Sequence, residues 1–251
     1  MNSTLITGYK LLVSNNCYSG KYNKKYICYF KPEPKLTKNN YIQNLIKQGE
    51  NQFQDFKFVI NDSKKIARSL VAFANTKGGR LLIGVKDNGK IAGVQTDEEY
   101  HMVEAAAQLY CRPEITFERK DWLVDGKKVL EIIIPESENK PHLTQTDKNK
   151  WLAFMRVCDE NILANVVVLK AWKKLNREKG IKIQYADAEK FLLNYLQKEK
   201  YIDLKQFYKK AKISRYRAIN ILSDFIALGI IDTVFIDNNI CYRSLPSEMV
   251  L

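Results

Sequence analysis

A chain of 251 residues, 45% hydrophobic and 27% charged, has the material for one or two domains with a buried core. It contains no apolar run of about 18 residues, which excludes a membrane-spanning helix, and its start lacks the basic-then-apolar pattern of a secretory signal. Five cysteines, scattered and without a C-x-x-C pair, argue against a disulfide framework or a cysteine-rich zinc site and fit a reduced, cytoplasmic setting.

The net charge of +13 is unevenly spread. Residues 1–40 hold seven lysines against one acid, residues 41–170 hold 19 bases against 18 acids, and residues 171–251 hold 15 bases against 9 acids. Basic ends on a neutral middle favour nucleic acid, whose phosphates release counterions when neutralised. Solubility or an acidic partner are the plainer alternatives.

Residues 1–40 are lysine-rich, lack periodicity and are expected to be a poorly ordered basic extension. Ile42, Leu45 and Ile46 recur at helical spacing up to Gly49. Residues 50–60 alternate as a strand, and Asp62 or Ser63 caps a helix that buries Ile66, Leu70 and Phe73. Residues 80–85 form a buried strand, and Asp87-Asn88-Gly89-Lys90 is a hairpin turn leading to a return strand at 91–94. A helix follows from Asp97 to about Tyr110, then strands near 114–118, 122–124 and 128–134, the last two joined by an Asp125-Gly126 turn. Residues 135–149 are a polar loop, 151–157 a strand and 161–176 a helix. Mixed strands, hairpins and helices predict an α+β domain over 41–176, with a mixed sheet and packed helices. A linker spans 177–185.

Residues 186–245 read as a second unit. One helix carries Phe191, Leu192, Tyr195 and Leu196, Asp203 caps a second, and Ser214 caps a third that Gly229 ends. The hairpin 230–243 completes a small winged helix-turn-helix domain.

The most specific stretch joins Glu50-x4-Asp55-Phe56-Lys57 to Ala72-Phe73-Ala74-Asn75-Thr76-Lys77-Gly78-Gly79, then Leu82-Ile83-Gly84-Val85-Lys86-Asp87-Asn88-Gly89 and Gly93-Val94. Taken together these blocks closely resemble the Schlafen AlbA_2 domain, a family also catalogued as a DNA-binding or divergent AAA-type domain. The resemblance implies two different functions. Bacterial members are mostly described as DNA-binding or transcription-regulator-like, whereas the vertebrate Schlafen relatives cleave structured RNAs such as tRNA with three carboxylates. Carried onto this sequence, those carboxylates fall at Glu50, Asp55 and Asp87.

Three acids gathered by a strand start and a turn are able to hold Mg²⁺ or Mn²⁺, which activates water and offsets charge on a phosphate. Lys57, on the strand face of Asp55, is then placed for the phosphate. This sequence has Asp55 where the family usually has Glu, one methylene longer, which puts its reach to a metal in question. The plain alternative is that these acids are solvated strand-end and turn residues.

The Asn75–Gly79 stretch has invited an ATP-binding label for this family. A phosphate loop places its glycines after a strand and before a helix, and here the order is reversed, so no ATPase is expected. His101 and His142 have no neighbouring ligand spacing, so neither zinc nor a Ser-His-Asp arrangement is expected, and His101 reads as a helix-surface residue.

In the second unit the third helix opens Ser214-Arg215-Tyr216-Arg217, with Asn220 one turn on. Early residues of such a helix meet base edges, and Arg and Asn suit guanine and adenine. Lys209, Lys210 and Lys212 are placed for backbone phosphates. The plain alternative is a solvated charged face. Three readings therefore stand: a DNA-binding transcriptional regulator, possible as a homodimer, with DNA preferred over RNA as partner; a metal-dependent nuclease acting through Glu50, Asp55 and Asp87; and a non-catalytic interaction module.

Overall fold

The computed structural model describes residues 40–146, 148–176 and 185–245. The basic extension, apart from Asn40, and the linker, apart from Tyr185, lie outside the described residues.

The chain opens with α1 (Tyr41–Gln48), β1 (Gln54–Lys57), α2 (Ser63–Ala74) and β2 (Gly79–Ile83). Asp62 caps α2 by accepting the N–H groups of Lys64 and Lys65. Then come α3 (Glu98–Leu109), β3 (Cys111–Arg112), β4 (Glu118–Val124), β5 (Lys127–Ile134), β6 (Leu143–Gln145), β7 (Trp151–Leu152), β8 (Phe154–Val157), β9 (Glu160–Leu163) and α4 (Val166–Leu175).

The main sheet is mixed and ordered β1-β2-β5-β4, with β1 parallel to β2 and the other pairs antiparallel. Period-two alternation sorts its side chains onto two faces. Leu81, Ile83, Leu130, Ile132 and Ile134 face α2 and α3. Phe56, Leu82, Val124 and Val129 face Ile42 and Leu45 of α1. Glu131 falls on the α1 side and is fully buried. It accepts from the Tyr41 hydroxyl at 2.9 Å and the Trp122 indole at 2.9 Å and pairs with Arg80 at 3.1 Å, so a charge between two layers is fully matched.

Several elements depart from expectation. The return strand at 91–94 is reduced to one bridge, Val85 to Ile91, because the Gly84 carbonyl takes both the Ala92 and Gly93 N–H groups and Val94 turns away to Lys128. The two strands expected near 114–124 are one, since β4 pairs with β5 without interruption through the charged Arg119–Asp121. Part of the expected 135–149 loop is a strand: Thr144 of β6 lies between Cys111 and Leu152. The expected strand at 151–157 divides at Ala153, β7 joining β6 and β8 pairing with β9. The expected helix at 161–176 begins later, because Glu160–Leu163 is a strand and Asn165 caps α4 by accepting from Val167 and Val168. Among the described residues Cys111 and Cys241 are free and buried.

Residues 187–244 carry α5 (Asp187–Lys198), β10 (Ile202–Asp203), α6 (Leu204–Lys210), α7 (Arg215–Ala227), β11 (Ile231–Ile236) and β12 (Asn239–Ser244). Asp203 and Gln206 form a reciprocal capping box at the start of α6. The short strand β10, which apolar patterning over two residues does not announce, pairs with β12 and makes a three-stranded sheet with β11. Leu192, Phe207, Ala218, Leu222 and Phe225 share a core with Val167 of α4. Thus α4 belongs in sequence to the first unit and in packing to both.

Candidate functional site

Two groups of polar side chains have functional character. The first surrounds β1. Asp55 has 7% of its side chain exposed and pairs with Lys57 at 2.8 Å and with Arg156 at 3.6 Å. Ser69 donates to Asp55 Oδ2 at 3.3 Å, Asn161 Nδ2 donates to Ser69 at 3.0 Å, and Arg156 Nη1 donates to Asn161 Oδ1 at 3.1 Å. Asp55, Ser69, Asn161 and Arg156 therefore close a ring. Arg156 also donates to the carbonyls of Asn51 and Gln54, and its guanidinium lies 5.1 Å from the centre of the Phe73 ring. A buried guanidinium is tolerated here because its donors are matched.

Glu50 sits at the edge of this group. Its Oε1 accepts from the Phe56 N–H at 2.9 Å, and its side chain hydrogen-bonds to Asp55. Burial and that hydrogen bond push the Glu50 carboxyl above the ordinary range. Burial alone would raise Asp55 as well, but the Glu50 hydrogen bond and the charges of Lys57 and Arg156 outweigh it and hold Asp55 low. The pair is thus split, the Glu50 carboxyl raised and the Asp55 carboxyl lowered.

The structure brings Glu50, Asp55 and Lys57 together. Asp55 lies opposite Leu81 in the parallel pair, and Asp87 is exposed in the turn after β2, whose Gly89 packs closely on Ile46 of α1. Among the described residues no group of three His, Cys, Asp or Glu side chains is placed to hold a metal ion. Arg156, Ser69 and Asn161 are the residues sequence reasoning missed. An arginine inside the apolar run Trp151–Val157 was the available signal.

The Asn75–Gly79 stretch is a structural clasp. Asn75 Nδ2 donates to the carbonyls of His142 and Phe154 at 2.9 and 3.0 Å, and its Oδ1 accepts from the His142 N–H at 2.7 Å. Thr76 Oγ1 accepts from the Arg156 N–H at 2.9 Å. Of the two histidines, His101 is exposed beside Glu104, and His142 is buried between Pro113 and Ser137.

The second group surrounds the turn between α6 and α7. Lys209, Lys210, Lys212, Arg215, Tyr216 and Arg217 are all exposed, Tyr216 at 71%. Ser214 caps α7 by accepting the Arg217 N–H at 3.2 Å, which fixes the direction in which this first turn points. Arg217 lies 3.8 Å from Glu189 and Lys210 stands over the Tyr195 ring. Asn220 is placed differently: its Oδ1 accepts from Lys170 of α4, and its flank of α7 faces that helix.

Residues 50–165 match the family model described as Schlafen, AlbA_2. No curated protein matches the chain. Two solved structures are similar to it. The crystal structure of the DIP2311 protein from Corynebacterium diphtheriae is 19% identical with a TM-score of 0.40, over 59% of this chain and 33% of that one. The solution structure of the N-terminal domain of an ATP-dependent DNA helicase RecG-related protein from Nitrosomonas europaea is 20% identical with a TM-score of 0.35, over 45% of this chain and 82% of that one. The matched region spans about a third of the length of the first.

Proposed function

Since residues 50–165 are a Schlafen AlbA_2 domain, we propose that this protein binds nucleic acid, duplex DNA before RNA, and acts as a transcriptional regulator. In this reading α6, its turn and α7 serve as the helix-turn-helix, β11 and β12 as the wing, and residues 186–245 as a winged unit beside an AlbA_2-like domain over 41–176. The observation that carries it is the open basic tip: six exposed residues, five of them cationic, grouped at the entry to a capped helix. Lys209, Lys210 and Lys212 hold phosphates while Arg215 and Arg217 approach base edges with the first turn of α7. The AlbA_2 domain adds nucleic-acid contact or a homodimer interface.

Titrating labelled duplex DNA and tRNA with the full chain over a range of salt tests the reading. Binding that weakens in Arg215→Ala and Arg217→Ala and falls steeply with salt supports it. Binding to neither nucleic acid removes it in favour of an interaction module.

A second reading, metal-dependent nucleic-acid cleavage, is favoured by one observation, the hydrogen-bonded Glu50–Asp55 carboxyl pair beside Lys57. The donor set as arranged does not fit Mg²⁺ or Mn²⁺: Asp55 is already matched by two cations, and among the described residues no three acids are gathered to hold an ion.

A further inference from the structure

The helix that presents the basic tip is held from two sides. Ala218, Leu222 and Phe225 of α7 turn into the core of the C-terminal unit. At 100° per residue, Asn220, Ser223 and Asp224 lie on the other flank, and this flank belongs to α4. Lys174 donates to Ser223 Oγ at 2.8 Å and to Asp224 Oδ1 at 2.6 Å, and reaches the Asn220 carbonyl at 3.2 Å. One turn earlier, Lys170 donates to Asn220 Oδ1 and sets its ammonium 4.9 Å from the centre of the Tyr216 ring. What stays open on α7 is its first turn.

We propose that Lys170, on α4 of the first unit, is a positioning residue for the duplex-contacting tip of α7. This deepens the DNA-binding reading and rests on it. Lys170 is half-buried, and its charge is taken by an aromatic face and an amide oxygen. It is therefore placed to hold Tyr216 and Asn220 and not to meet a phosphate. Two consequences follow. The tip takes its direction from the AlbA_2-bearing unit as well as from its own core. Base reading is confined to the first turn of α7, because the rest of the outward flank is covered.

A phosphate contact and a positioning contact leave different signatures. A residue that neutralises a phosphate lowers the slope of log affinity against log salt by about 0.9 when removed, whereas a positioning residue lowers affinity at constant slope. The full chain is compared with Lys170→Met, Lys170→Arg, Tyr216→Ala and Lys170→Met/Tyr216→Ala on one duplex at several salt concentrations. Lys170→Met is expected to weaken binding about five- to tenfold with the slope unchanged. Lys170→Arg, which keeps the cation over the ring, is expected to restore most of it, and the double variant should bind no more weakly than Tyr216→Ala. Rescue by arginine separates this outcome from a variant that merely folds poorly. Wild-type binding by Lys170→Met overturns the proposal, and so does a lowered slope with losses that multiply in the double variant. A wild-type chain that binds no duplex overturns the DNA-binding reading itself, and is recognised because no variant then has an affinity to lose.

Discussion

Asp55 and Arg156 meet at 3.6 Å beneath β1, with 7% and 2% of their side chains exposed. The contact joins the first strand of the region that matches the AlbA_2 family model to β8, one of its last. Because Ser69 and Asn161 complete the ring, the pair acts as a cross-tie between α2, the main sheet and the β8–β9 hairpin.

Removing the guanidinium strands several partners at once. Arg156→Met leaves Asn161 Oδ1 without this donor, reduces the Asn51 and Gln54 carbonyls to the backbone N–H groups they accept from each other's residue, and leaves Asp55 with Lys57 as its remaining cation. Loss of one side of a buried pair costs roughly 3 kcal/mol or more. Urea unfolding should show that loss, and the further change Asp55→Asn should cost less in the Arg156→Met background than in the wild type. Equal costs in both backgrounds would mean that the two residues are not coupled.

How much of this was legible in the sequence follows from range. Helix caps such as Asp62, Asp203 and Ser214 act on backbone two or three residues away, so local reading finds them. The Glu50–Asp55–Lys57 group lies on one short segment and could be named from the motif. Ser69 reaches Asp55 from α2, and Arg156 and Asn161 close the ring only after β8 and β9 fold back, and nothing in a local window says so. The same holds for Asn75, whose stretch reads in sequence only as a helix-to-strand connection and whose side chain in the structure holds the backbone of His142 and Phe154. Glu160–Leu163 reads into the helix after it because four residues are too few to establish a period.

A pH dependence follows from His142. Pro113 offers only a carbonyl, so Nδ1 is the donor to it at 2.9 Å, and Nε2 accepts from Ser137 at 2.7 Å. Burial holds this imidazole below its ordinary value, chiefly by disfavouring the charged form. The unfolded chain then takes up a proton more readily than the folded one. Stability should be level above about pH 7 and should decline as pH falls below about 6.5. His142→Gln is expected to be less stable at neutral pH but flatter between pH 7 and 5.5. An unchanged slope in chemical unfolding over that range would rule His142 out as its source.

Two glycines with nearly the same backbone should respond differently to one methyl group. Gly78 has φ +70 and Gly126 has φ +73, so alanine is strained at both by about 1–2 kcal/mol. At Gly126 a Cβ meets nothing within 4 Å, and at Gly78 it would lie 2.7 Å from the Ile134 carbonyl and 2.8 Å from the Glu136 N–H group. Those neighbours are backbone and cannot swing away. Gly126→Ala should cost no more than the conformational strain, while Gly78→Ala should cost several kcal/mol or prevent folding. Similar thermal midpoints for the two variants would contradict the close approach of the α2–β2 connection to the end of β5.

The same asymmetry separates the three acids that the family resemblance groups together. Asp55 is buried and matched by Lys57, Arg156, Ser69 and Glu50, so Asp55→Ala removes a structural tie as well as a carboxylate. A loss of any activity in that variant would therefore be ambiguous. Asp87 is exposed in the turn after β2, and Asp87→Ala should unfold within about 0.5 kcal/mol of the wild type. That makes it the cleaner probe of cleavage. With tRNA and duplex DNA, Mn²⁺ or chelator, and wild type beside Asp87→Ala, the expected result is binding by both proteins and no cutting that depends on Asp87. Metal-dependent cutting by the wild type that disappears in a stably folded Asp87→Ala would show that Asp87 takes part in cleavage, and would put the nuclease reading ahead of the regulator.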